Sequence, residues 1–133
     1  MRGALWIGRA LAVGVVALAA WLSLTPRPPM IEGLPQDSDL VAHFLMHTGV
    51  AGALLLAWPP RRGVALAILM LAVGLEFGQI AVTGRIFDVA DMAANLLGAG
   101  TGAAIAAALR HYLRRIACAR RATAAGPDRS GGG

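Results

Sequence analysis

The chain has 133 residues, of which 57% are hydrophobic and 14% charged, and its formal net charge is +5. Soluble domains average about 45–50% apolar and roughly 25% charged residues, so this composition argues against a free cytoplasmic globule. The single cysteine, Cys118, excludes a disulfide within the chain. No aromatic-interleaved basic patch, zinc-finger spacing or recognition-helix pattern occurs, so we expect no nucleic-acid partner.

Four apolar segments are long enough to cross a membrane, for which about 17–25 mostly apolar residues are needed. The predicted spans are residues 5–24, 40–58, 63–82 and 89–109. Proline-rich stretches at 26–29 and 59–60 end helices, because proline lacks the amide proton and clashes with the preceding turn. The sequence therefore predicts an all-α fold, a four-transmembrane-helix bundle in the lipid bilayer. We treat residues 1–122 as one membrane domain and 123–133 as a disordered tail.

The first span has a second interpretation, a cleaved signal peptide. Arg2 precedes the apolar run, and Ala17-Leu18-Ala19 resembles a small-residue cleavage site. The run continues past that site to Leu24, which is long for the apolar region of a signal peptide. A retained span is therefore favoured, and the orientation of the other three spans is the same in both interpretations.

Arginines near the span ends predict the orientation. Nine of them belong to the N-terminal segment, the second-to-third loop and the C-terminal tail: Arg2, Arg9, Arg61, Arg62, Arg110, Arg114, Arg115, Arg120 and Arg121. The alternate loops carry only Arg27 and Arg85. The positive-inside rule then predicts that both termini are cytoplasmic.

Polar residues of the last three spans lie at one level. An ionisable side chain at mid-bilayer costs roughly 2.5–3.5 kcal/mol on insertion scales, so each one calls for a reason. With the predicted orientation, all of them fall in the outer half of the membrane: Asp39, His43, His47, Glu76, Gln79, Asp88, Asp91 and Asn95. We expect a bundle whose outer half encloses a polar cluster.

The fourth span carries its polar residues and glycines on one face. At about 100° per residue, Asp88, Asp91, Asn95, Gly98 and Gly102 fall within a stripe about 80° wide. That stripe must face protein, and the two glycines allow a neighbouring backbone to approach closely. We also expect a hydrogen bond from Asn95 to a backbone or side-chain partner.

The third span separates polar residues from glycines. Glu76 and Gln79 point one way, and Gly74 and Gly78 nearly the opposite way, which suggests that the glycines pack against another helix. A tight turn follows, with Arg85 at its apex. Two carboxylates at similar depth need a cation or a shared proton, so we expect Arg85 to pair with Asp88 or Asp91.

These motifs resemble those of the VanZ-like family of small bacterial membrane proteins, named after a teicoplanin-resistance accessory protein. The matching elements are Asp39-x-x-x-His43-Phe44, Glu76-x-x-Gln79, Gly84-Arg85, and Asp91-x-x-x-Asn95-x-x-Gly98 followed by Gly102. They cover most of residues 37–102. Leu40 departs from the family, which often has lysine there, and His47 has no counterpart among the family's polar positions.

The resemblance implies a multi-pass protein of the bacterial plasma membrane. Some members are linked to lowered glycopeptide sensitivity, and no catalysed reaction is implied. We interpret the polar cluster as an outward-facing pocket that recognises an outer-leaflet lipid or a cell-wall component. Its predicted lining is Asp39, His43, Glu76, Gln79, Arg85, Asp91 and Asn95.

Two other classes of function stay open. One is an intramembrane enzyme acting on envelope lipids or lipid-linked precursors, with Glu76, His43 or Asp91 as the catalytic candidates. We expect no cofactor and no metal, although His43 and His47 at i, i+4 together with Glu76 are the candidate ligands for a metal-dependent enzyme. The other is a structural or assembly subunit, in which the cluster only fixes helix register. The sequence leaves the oligomeric state open.

Overall fold

The computed structural model describes residues 2–26, 38–83 and 86–124. It contains four helices: α1 (Arg2–Leu24), α2 (Ser38–Ala57), α3 (Arg62–Gln79) and α4 (Val89–Ala124). No strand occurs in the described part of the chain. All four helices are long and apolar enough to cross a membrane, which confirms the all-α, four-span prediction.

The C-terminal ends of α3 and α4 differ from the predicted spans by more than one residue. α3 ends at Gln79, and the next three amides bond to carbonyls three residues back, as in the tightened last turn of many helices. α4 continues fifteen residues beyond position 109 to Ala124, because no glycine or proline interrupts 110–124. Residues 123 and 124 are therefore helical and not part of a disordered tail, and 125–133 lie outside the described residues.

The bundle has large apolar side chains outside and small or polar ones inside. Trp6, Leu11 and Leu97 are each about two-thirds exposed. A core of Ala51, Ile68, Ala72 and Ala99 is buried where α2, α3 and α4 meet. Lipid is as apolar as leucine, so membrane helices associate through close packing of small residues and polar contacts. This distribution is the one expected for a bundle in a bilayer.

α2 and α4 pack most closely, along the predicted glycine face of α4. A Cβ added to Gly98 would overlap the Phe44 carbonyl, and one added to Gly102 would overlap the Thr48 carbonyl. Thr48 Oγ1 also donates across the interface to the Gly98 carbonyl, 3.1 Å away. The prediction that Gly98 and Gly102 admit a neighbouring backbone is therefore confirmed.

α1 packs against α2 and α3. A Cβ on Gly78 would lie 3.0 Å from Leu24 Cδ2, so this glycine does face another helix. The same expectation was wrong for Gly74, where an added Cβ would meet nothing within 4 Å. The contact between α1 and α3 lies near the C-terminal ends of both helices and leaves the earlier turn of α3 open.

Charge is segregated between the two ends of the bundle. The described carboxylates lie where α2 begins, α3 ends and α4 begins. At the other end, the Arg9 guanidinium lies over the Trp58 ring, 5.8 Å from its centroid. Arg110 donates to the carbonyls of Leu55 and Trp58 near the C-terminus of α2, where a cation favours the helix dipole. We call these the acidic end and the basic end.

Candidate functional site

The acidic end gathers five of the seven residues predicted to line the pocket. They come from the first two turns of α2, the last turn of α3 and the first two turns of α4: Asp39, His43, Glu76, Asp91 and Asn95. Because α2 and α4 both start at this end and α3 finishes there, three chain segments bring polar groups to one level. We call this set the acidic-end cluster.

Asn95 connects the three helices. Its Nδ2 donates to the Ala72 carbonyl at 3.2 Å and to Glu76 Oε2 at 3.3 Å. Both partners only accept, which fixes the orientation of the amide. Its Oδ1 therefore faces α2 and lies 2.9 Å from His43 Nδ1. The predicted hydrogen bond of Asn95 is confirmed, and the residue bonds to both neighbouring helices.

The Asn95 amide determines the hydrogen position on His43. Because Oδ1 only accepts, Nδ1 of the imidazole must carry the hydrogen. The other ring nitrogen, Nε2, points to the carboxylates, with Asp39 Oδ1 at 3.9 Å and Asp91 Oδ2 at 3.8 Å. These separations are too long for hydrogen bonds. Nε2 thus lies between two carboxylates without bonding to either.

Glu76 lies beneath His43 and is fully buried. Its Oε1 accepts the Asp88 backbone N–H at 3.1 Å, while Oε2 accepts from Asn95 and lies 3.9 Å from His43 Nδ1. The Asp88 side chain in turn accepts from the Ala90 N–H at 2.7 Å and caps the start of α4. Glu76 therefore joins the end of α3 to the start of α4.

Exposure increases steadily from the base of the cluster to its mouth. The side chain of Glu76 is 0% exposed, that of His43 8%, that of Asp91 15% and that of Asp39 63%. Three carboxylates surround one imidazole, so the cluster favours a positively charged partner. Asp39 is the most exposed of these four side chains, and its Oδ1 and Asp91 Oδ2 both lie within 4 Å of His43 Nε2.

The structure groups potential metal ligands differently from the sequence. Asp39, His43 and Asp91 each offer a ligand atom, and these three atoms lie within 4.8 Å of one another. The candidate ligands named for a metal-dependent enzyme, His43, His47 and Glu76, do not form such a group among the described residues. His47 is buried, and its Nδ1 bonds to the His43 carbonyl at 3.2 Å. The i, i+4 spacing of Asp39 and His43 was the signal in the sequence for the observed group.

The two other residues predicted to line the pocket, Gln79 and Arg85, have no described contact with the acidic-end cluster. Gln79 is buried at the end of α3. Gly84 and Arg85 lie outside the described residues, and so does the expected pairing of Arg85 with Asp88 or Asp91.

Comparison with known proteins agrees with the motif pattern. The model of the VanZ/LLP1 family matches residues 14–110, which include the whole acidic-end cluster and the glycines of α4. No curated protein and no solved structure matches the chain. Since the family match extends from the middle of α1 to Arg110 and takes in most of the sequence, the chain belongs to the VanZ/LLP1 family.

Proposed function

We propose that this protein recognises an envelope component at the acidic-end cluster, on the outer face of the bacterial plasma membrane. The component is the polar headgroup of an outer-leaflet lipid or of a lipid-linked cell-wall precursor. One observation carries the proposal: three carboxylates converge on a single imidazole, at a mouth that Asp39 leaves open. Carboxylates placed this close repel one another. A cluster that only fixed the register of the helices would gain nothing from that repulsion.

Charge segregation supports the outward direction of the mouth. Arg9 and Arg110 lie at the basic end, and the helical extension beyond Arg110 carries further exposed arginines. Arginine-rich ends are retained on the cytoplasmic side. Both termini would then be cytoplasmic, and the acidic end would face the outer leaflet.

Roles differ between the base and the mouth of the cluster. Glu76 and Asn95 use their polar atoms in hydrogen bonds within the protein, so their role is to position His43. Asp39, His43 and Asp91 keep atoms free to contact a ligand. Gln79 and Arg85 remain proposed lining residues on the sequence pattern alone.

The charge of the mouth restricts the ligand. An outer-leaflet headgroup must bring positive charge to Asp39 and Asp91, either on its own ammonium group or through a cation that it shares with the protein. A cell-wall precursor as ligand would also account for the link of some family members to glycopeptide sensitivity, because the protein would alter how much precursor is accessible at the outer surface.

Native mass spectrometry of the purified protein tests this proposal. The wild type and two variants, Asp91→Asn and Asp88→Asn, are incubated in detergent with a bacterial polar lipid extract. Asp88→Asn removes the same charge from the same end and keeps the cap of α4, because asparagine caps as well as aspartate. We expect the wild type and Asp88→Asn to retain one headgroup class that Asp91→Asn loses. Identical lipid adducts on all three proteins would refute the proposal.

A further inference from the structure

The mouth of the acidic-end cluster has the ligand atoms of a metal site. We propose that Asp39, His43 and Asp91 bind a divalent transition metal ion such as Zn²⁺. Two carboxylate oxygens and one imidazole nitrogen converge from the first turns of two helices, all within 4.8 Å of one another. The inference concerns what occupies the site, and it rests on the proposed function only for what the ion then holds.

The hydrogen bond between His43 and Asn95 is the first argument. A metal ligand must offer a lone pair, and the Asn95 amide places the imidazole hydrogen on Nδ1. The lone pair of the neutral ring is therefore on Nε2, the nitrogen that faces Asp39 and Asp91. His43 is more than nine-tenths buried, and its Nε2 has no hydrogen-bond partner among the described residues. The geometry therefore aims a possible ligand atom at the two carboxylates.

The spacing of the ligand atoms is the second argument. Nε2 lies 3.9 Å from Asp39 Oδ1 and 3.8 Å from Asp91 Oδ2. Around an ion with bonds of about 2.0–2.2 Å, ligand atoms lie roughly 3.0–3.5 Å apart. Each carboxylate oxygen would have to approach Nε2 by only a few tenths of an ångström, and the two oxygens, which lie within 4.8 Å of each other, would have to close by at most about 1.3 Å. Asp39 is largely exposed at the start of α2, so its side chain is free to make that movement.

The groups behind the imidazole are the third argument. Metal-binding histidines nearly always donate their second ring N–H to an oxygen that fixes the ring. Here the acceptor is Asn95 Oδ1, and Asn95 is itself held by Ala72 and Glu76. This chain of hydrogen bonds orients His43 from below and leaves its upper edge for the ion.

Charge and ligand type indicate the class of ion. Imidazole favours Zn²⁺ over Mg²⁺ and Ca²⁺, whereas the carboxylates also suit Mn²⁺. A divalent ion would neutralise the two carboxylates of Asp39 and Asp91. Three protein ligands leave at least one coordination position open. In the proposed function, that position would take a phosphate oxygen of the lipid headgroup.

Metal binding to the untagged, chelator-treated protein tests the inference. Zn²⁺, Mn²⁺ and Mg²⁺ are titrated separately by calorimetry in detergent, and bound metal is counted by mass spectrometry of the elements. We expect one Zn²⁺ per chain for the wild type and for Asp88→Asn. Affinity should fall about 100-fold or more in Asp39→Asn and Asp91→Asn, beyond the 10–100-fold typical of losing an outer-shell partner. Asp39 is mostly exposed, so its variant is expected to fold.

Two outcomes of the titration overturn the inference. No stoichiometric Zn²⁺ on the folded wild type would do so, and so would equal affinity in all four proteins. Lipid retention separates this inference from the proposed function. Lipid that is lost by Asp91→Asn and kept by metal-free wild type would support headgroup recognition and show that the ion does not hold the lipid. Zn²⁺ binding by a protein whose lipid adducts ignore Asp91→Asn would support the ion alone.

Discussion

The contact between α2 and α4 gives the sharpest stability prediction. At Gly98 an added methyl group would overlap the Phe44 carbonyl and lie 3.0 Å from the Phe44 carbonyl carbon. These are backbone atoms, so a side-chain rotation cannot relieve the overlap. Gly98→Ala must therefore push the two helices apart and lengthen the 3.1 Å hydrogen bond from Thr48 Oγ1 to the Gly98 carbonyl.

The free energy follows from three contributions. Overpacking a close interface costs about 1–3 kcal/mol, and the weakened hydrogen bond adds roughly 0.5–1.5 kcal/mol. Replacing glycine by alanine in a helix returns about 1 kcal/mol. The net expectation is a destabilisation of about 0.5–3.5 kcal/mol. The matched control is Gly100→Ala, because Gly100 is exposed on the same helix and an added Cβ there meets nothing within 4 Å.

Thermal unfolding in detergent measures the difference. We expect Gly98→Ala to unfold several degrees below the wild type, with Gly100→Ala at or slightly above it. If both variants unfold at the same temperature, the α2–α4 contact is not as close as described and the reasoning fails.

Three further predictions concern the ends of the bundle. Glu76→Gln should lower the free energy of unfolding by about 1.5–3 kcal/mol for each hydrogen bond to the carboxylate that is lost. An unfolding temperature equal to that of the wild type would show that these hydrogen bonds do not stabilise the bundle. Arg110→Ala should lower the free energy of unfolding by a similar amount, because it removes the hydrogen bonds to the end of α2. Arg114→Ala removes an exposed arginine one turn later and should have little effect. Equal destabilisation by the two variants would contradict the capping role of Arg110. Cys118 is exposed beyond the basic end, so in intact cells it should resist a maleimide that cannot cross the membrane. A cysteine introduced by Asp39→Cys in a Cys118→Ala background should react with the same reagent. The reverse pattern of labelling would show that the orientation is inverted.

The helical periodicity of α4 was sufficient to predict which of its faces packs against the other helices. Spacing alone placed Asp91, Asn95, Gly98 and Gly102 on one face, and the structure turns that face toward α2 and α3. A helical repeat fixes the direction in which residues point, and a charge on a lipid-facing side is too costly. The composition and the proline stops were likewise sufficient for four helices.

The pairing within the acidic-end cluster was not predictable from spacing. Periodicity shows that Glu76 and Asn95 face protein, but it does not show that their side chains meet or that Asn95 also bonds to the Ala72 carbonyl. The same limit applies to the candidate metal ligands of the alternative enzyme hypothesis. His43 and His47 share a face of α2, yet His47 lies one turn deeper, where its ring bonds to the helix backbone.

The contacts of the basic end were not predictable for a related reason. Arg9 lies over the Trp58 ring, far away in sequence. Arg110 caps α2 by donating to the Trp58 carbonyl. Both contacts depend on where one helix ends beside another, and a single helix pattern carries no information about that.

The central claim is that the mouth of the acidic-end cluster exists for a ligand and not for the stability of the bundle. The most direct test is the unfolding temperature of Asp91→Asn in detergent without metal or added lipid, with Asp88→Asn as the control. Asp91 makes no hydrogen bond to His43 at 3.8 Å, and its removal relieves repulsion among three carboxylates. The account predicts an unfolding temperature equal to or above that of the wild type. A loss of several degrees in Asp91→Asn alone would show that the cluster is a structural lock.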